Sequence, residues 1–161
     1  MIDSISLLLT QLALPTVGLP AVFVISLVSA TLLPMGSEPA VFALIAINPD
    51  LFWPAILVAT TGNTIGGAIS YGMGIGAKKI FTRERESHGL RWLQRFGPKA
   101  LLLAWLPVIG DPLCSIAGWL KMPFWPSVAY MAVGKLLRYL TITLLLQTVS
   151  DGFWHRFIAW F

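Results

Sequence analysis

The chain has 161 residues and a formal net charge of +4, with 57% hydrophobic and 11% charged residues and a mean hydropathy of +0.79. Soluble domains carry about a quarter charged residues, so a soluble globular domain is excluded. What remains is one compact helical membrane domain over residues 1–161, with no room for a separate soluble one.

Residues 1–17 form a mildly amphipathic apolar stretch closed by Pro15, Gly18 and Pro20, read as an interfacial or shallow helix. Asp3 stands where a signal peptide would carry positive charge, so the segment is expected to be retained. The apolar run 20–33 then stops at Pro34, after a length of only about 21 Å as helix, against a hydrocarbon core of about 30 Å. Beyond Pro39 the run 40–47 leads to the surface turn Asn48-Pro49-Asp50. Residues 20–47 therefore read as a re-entrant hairpin, hinged at Pro34, Gly36 and Pro39, because proline removes a backbone donor and pushes the preceding residue toward extended geometry.

Residues 51–77 are uncharged and long enough to span a bilayer with tilt. Their middle is rich in small residues, and Gly62 with Gly66, and Gly72 with Gly76, have the spacing of close helix approach. Gly62, Asn63, Gly66 and Gly67 are the expected packing face. The loop 78–99 holds seven of the eleven basic residues, which places it in the cytoplasm; it lacks a nucleic-acid-binding module, so no nucleic-acid partner is expected.

Residues 100–120 repeat the first pattern. Pro107-Val108-Ile109-Gly110-Asp111-Pro112 matches Pro34-Met35-Gly36-Ser37-Glu38-Pro39 in its prolines, with a carboxylate directly before the second one. A second re-entrant hairpin, hinged at Pro107, Gly110 and Pro112, follows. Residues 124–149 form a second span, and 150–161 an interfacial aromatic tail. The fold class is thus an all-α integral membrane protein, an inverted repeat of two re-entrant helical hairpins, each followed by a transmembrane helix. An offset of 73 superposes the hairpin motifs, and an offset of 72 places Gly62-Asn63 on Gly134-Lys135. Opposed broken elements of this kind create a cavity near the midplane of the bilayer.

Glu38, Asp111, Lys135 and Arg138 are the charged side chains expected at membrane depth. Each costs about 2.5–3.5 kcal/mol at a helix centre when it faces lipid, so pairing or hydration is required. Lys135 and Arg138 share a helix face, and one polar pocket lined by both acids and both bases is the economical arrangement. Two bases with exposed amide donors suit a phosphate headgroup, and a partly buried carboxylate can carry a proton. The same charges could instead be structural ion pairs.

No enzyme activity, metal or cofactor is expected. His88 and His155 have no Cys, Asp or Glu at ligand spacing. Ser37 and Ser115 have no histidine base at membrane depth, and Asp111 lacks the second aspartate of an intramembrane protease. Cys114, the sole cysteine, reads as a small apolar packing residue.

These motifs resemble the DedA superfamily of small membrane proteins, in its short YqaA-like branch, over about residues 24–141. The matching stretches are Ser29 to Pro34 with Glu38, Gly62 to Gly67, Arg95-Phe96-Gly97, Trp105 to Asp111, Ala117-Gly118-Trp119 and Gly134 to Tyr139. Where many members carry an aspartate in the small-residue helix, Gly67 stands here, and the arginines flanking their second-hairpin proline correspond to Ala104 and Gly110. The resemblance implies a multi-pass protein of the bacterial inner membrane and a flippase or scramblase whose partners are membrane lipids, either undecaprenyl phosphate or phospholipid. A homodimer fits so thin a wall around a lipid path. The alternative expectation is a non-transporting assembly partner that packs through its glycine-rich helix.

Overall fold

The computed structural model describes residues 15–32, 37–80, 93–106 and 109–158, and they are helical almost throughout. Pro34, Gly36 and Pro107 lie outside the described residues, as do 1–14, most of the basic loop and the last three residues of the tail. In chain order the elements are α1 (Pro15–Leu32), α2 (Glu38–Ile47), a 3-10 turn (Pro49–Leu51), α3 (Phe52–Ile80), a 3-10 segment (Gly97–Trp105), α4 (Gly110–Trp119) and α5 (Phe124–Ile158).

Proline decides where several of these begin. Pro20 lies within α1, which is helical through all its described residues from Pro15 to Leu32. Pro39 is the second residue of α2 and Pro112 the third of α4. Both prolines, and Gly110 with them, sit in the first turns of helices. α4 ends with Lys121 at φ 53°, and the Lys121 and Met122 amides donate back to the Gly118 and Ala117 carbonyls, a closure that usually recruits glycine.

α3 and α5 are the long elements, at 29 and 35 residues. They run antiparallel. The start of α3 (Ala55, Ile56, Ala59) packs in one core cluster with Tyr139, Leu136 and Leu140 of α5, while Tyr71 and Ile75 near its end pack in a second cluster with Tyr130 and Met131. α5 carries a stretch long and apolar enough to cross a membrane, Phe124–Leu146, and its helix continues through 150–158, where a separate tail was expected.

Each long helix docks the arm that opens its own half, and glycine makes both contacts possible. A Cβ on Gly62 would stand 2.6 Å from the Phe23 carbonyl oxygen of α1, and one on Gly134 would stand 2.7 Å from the Leu102 oxygen of the 3-10 segment. α2 buries Val41, Leu44 and Ile45 against the start of α3 and Tyr139. α4 lies against the other end of α3, where Gly118 meets the Tyr71 backbone and Gly74 meets that of Ser115. The N-termini of α2 and α4 thus approach the middle of the antiparallel pair from opposite ends.

Candidate functional site

Glu38 is the first residue of α2 and Asp111 the second of α4. At these positions a carboxylate is favoured by the unpaired amides and dipole of a helix start. Lys135 and Arg138 stand one turn apart near the middle of α5. The structure brings all four together. Lys135 Nζ donates to Asp111 Oδ1 at 3.0 Å, while Arg138 Nε stands 2.8 Å from Glu38 Oε1 and its Nη1 3.7 Å from Asp111 Oδ2. The two cationic side chains are 0% and 2% exposed and the carboxylates 20% and 11%.

The cluster has two distinct sides. Lys135 is saturated: besides Asp111 it donates to the Asn63 carbonyl oxygen at 2.6 Å and to the Asn63 side-chain oxygen, which uses all three ammonium hydrogens. Gly67 leaves it room, since a Cβ there would meet Nζ at 3.0 Å and the buried Cys114 sulfur at 3.3 Å. Arg138 is not saturated. Its Nη2 is buried without a partner among the described residues, its Nε has the Glu38 ion pair but no hydrogen bond of good geometry, and Asn63 Nδ2 is likewise without a partner. Thr60 and Thr64, one turn apart beside Asn63, likewise have buried hydroxyls without partners there, whereas Thr61 on the outer face bonds back to its own helix at the Leu57 carbonyl. Buried unpaired donors are costly, and here several fall on one stretch of α3 and α5.

The start of α2 is held at a second point beside Glu38: Ser37 Oγ and Tyr139 Oη are hydrogen-bonded at 2.5 Å. Neither the Ser37–Tyr139 bond nor the Asn63 acceptors were read from the sequence. The signal was available in both cases, since Ser37 and Tyr139 are the chain neighbours of Glu38 and Arg138, and the offset of 72 already aligns Asn63 with Lys135. Of the expected packing face, Gly62 and Gly66 meet α1 at Phe23, Leu27 and Ala30, Gly67 meets Lys135, and Asn63 is an electrostatic partner. A Cβ on Gly72 or Gly76 would meet nothing within 4 Å among the described residues.

Comparison with known proteins places this arrangement. The VTT domain model matches residues 33–148, which takes in both acids, both bases, every element from α2 to α4 and most of α5. The chain belongs to the VTT-domain, or DedA, family. It is 35% identical over 134 residues to the inner membrane protein YqaA of Escherichia coli (strain K12), covering 83% of this chain and 93% of the relative. The same figures hold for YqaA of Shigella flexneri. An uncharacterized protein of Haemophilus influenzae is 38% identical over 133 residues, covering 76% of this chain and 83% of that one. No solved structure matches. Membership of this family makes the chain a membrane protein, and the likeness to YqaA, named an inner membrane protein, supports placement in the inner membrane.

Proposed function

We propose that this protein moves a phosphate-bearing lipid or lipid carrier between the leaflets of the inner membrane, with α3 and α5 crossing in opposite directions and the two broken pairs entering as re-entrant hairpins from opposite faces. The observation that carries the reading is Arg138. It is buried and faces a carboxylate from each hairpin tip, with one guanidinium nitrogen left without a partner among the described residues. An oxyanion suits that nitrogen, and the converging helix starts of α2 and α4 suit it further. The repeat supports the topology: Asn63 and Lys135, equivalent at an offset of 72, touch each other, which is where an axis relating the halves would pass.

Charge balance gives proton coupling a physical basis. Two acids and two bases sum to zero, so an entering phosphate leaves the buried cluster with an uncompensated negative charge. A proton taken up with the anion restores neutrality. Binding and proton uptake then go together.

Reconstitution tests the proposal. Glu38→Gln and Arg138→Ala are each expected to reduce accessibility of a headgroup-labelled lipid to the rate of empty vesicles, at unchanged membrane abundance. Loss of both variants from the membrane would make the cluster a structural ion pair. A second reading, a homodimer or assembly partner packing through α3, rests on Gly72 and Gly76; Gly62 and Gly66 are covered by α1 of the same chain.

A further inference from the structure

The two broken pairs differ in one respect. In the second, the arms close on each other, and a Cβ on Gly110 would stand 2.5 Å from the Ala104 carbonyl oxygen. In the first they do not: a groove of about 200 Å³ separates α1 from α2. Its walls are the i, i+3, i+7 stripes Gly18, Ala21 and Ile25 on one helix and Ala40, Ala43 and Ile47 on the other, with Val22 and Leu44 as its floor. No lining residue has a polar side chain.

The groove stays open because each wall is anchored elsewhere. α1 is drawn onto α3 by Gly62 and Gly66. α2 is held by its own buried face against α3, and at its tip by Ser37 on Tyr139 and Glu38 on Arg138. Small residues at positions 18, 21, 40 and 43 keep the remaining space from being filled from within, and Ile25 and Ile47 stay 45% and 44% exposed. Two facing apolar stripes would close on each other in water; in a bilayer, hydrocarbon fills the space between them.

We propose that this groove seats one acyl chain of a phospholipid. This rests on the membrane placement in the proposed function, but not on lipid translocation. α2 has ten residues, a rise of about 15 Å, which is one leaflet's share of a hydrocarbon core of about 30 Å. An acyl chain lying along α2 would run from the Gly18 and Ile47 end, next to the Asn48–Leu51 turn, to Ala40, half a turn from Glu38. The smooth walls of alanine and glycine fit an unbranched chain. The groove thus ends beside the charged cluster and gives a lipid a fixed place next to it.

Photolabelling decides the point. The protein is reconstituted in phosphatidylethanolamine and phosphatidylglycerol vesicles holding a phospholipid with a diazirine in its acyl chain, irradiated, digested and read by mass spectrometry. Adducts are expected to concentrate on Ile25 and Ile47 over a reference stripe outside the groove, Trp53 and Leu57 of α3, which is also exposed. Ala43→Phe should abolish the excess at Ile25 and leave the reference unchanged. Ile47→Ala, which widens the groove, should keep the excess at Ile25 and serves if Ala43→Phe does not fold. Equal labelling of groove and reference, or an excess that survives Ala43→Phe, overturns the proposal. Displacement of the probe by an isoprenyl phosphate assigns the groove to branched chains and overturns it too. Wild-type protein separates the two proposals: headgroup accessibility no faster than in empty vesicles, with the excess label at Ile25 kept, removes the transport reading and leaves the acyl seat standing, whereas translocation with equal labelling of groove and reference removes the acyl seat alone.

Discussion

Lys135 ties three helices together through a single atom, Nζ, which contacts Asn63 on α3 and Asp111 on α4. Lys135→Met removes the closest cation from Asp111 and leaves it only Arg138 Nη1 at 3.7 Å. Removing one partner of a buried pair costs about 3–5 kcal/mol, and a loss of that size is expected in unfolding measured in detergent. The double variant Asp111→Asn with Lys135→Met should recover most of it, because Glu38 and Arg138 then remain as a balanced pair. Failure to recover would show that Lys135 is held by Asn63 and not by charge. The four charged residues were legible in the sequence because a charge amid apolar runs is conspicuous and cannot face lipid. Their division of labour was not, because the offset of 72 aligns Asn63 with Lys135 without showing that the two touch or that Lys135 takes both Asn63 oxygens. That Arg138 rather than Lys135 has spare donor capacity depends on which acceptors the fold brings within reach.

At the level of elements, glycine spacing was an incomplete guide. Gly62/Gly66 and Gly72/Gly76 have the same spacing on α3, yet the first pair touches α1 backbone and an added Cβ on the second would meet nothing within 4 Å among the described residues. Spacing marks a face that can be approached closely, not the face that is. The tightest approaches lie elsewhere, between α3 and α4, where an added Cβ on Gly118 would stand 1.9 Å from the Tyr71 oxygen and one on Gly74 1.9 Å from the Ser115 oxygen. Gly118→Ala is therefore expected to force the helices apart at a cost of about 1–3 kcal/mol or more. Gly72→Ala, with open space around it, should instead stabilise α3 by up to about 1 kcal/mol through helix propensity. Thermal unfolding of the two variants side by side measures the contrast, and equal shifts would contradict the packing of α4 on α3. Proline shows the same limit. The sequence locates the breaks near Pro34–Pro39 and Pro107–Pro112, but whether a given proline bends a chain or opens the next helix depends on which amides already lack partners, and Pro39 and Pro112 open helices.

The whole molecule repeats itself more closely than its hairpin motifs alone reveal. Phe52-Trp53-Pro54 opens α3 and Phe124-Trp125-Pro126 opens α5, again 72 residues apart, and in each the phenylalanine and tryptophan rings meet edge to face with centroids 5.4 Å apart. Trp53 and Trp125 are 60% and 78% exposed. Because α3 and α5 are antiparallel, these two tryptophans mark opposite ends of the pair, as interfacial anchors on the two sides of a bilayer would. On the proposed topology the end of α3 and the start of α5 share one side, which the basic residues between them would place in the cytoplasm by the positive-inside rule. Asp50, before α3, would then face the other compartment, and Lys121, before α5, the cytoplasm; both are exposed. With Cys114 replaced by alanine, a cysteine at 50 should react with an impermeant maleimide added to spheroplasts, and a cysteine at 121 only after permeabilisation. Reaction of both from the same side would place α2 and α4 in one leaflet. Glu38 and Asp111 could then no longer enter the cluster from opposite faces, and the Arg138 site would open to one compartment alone.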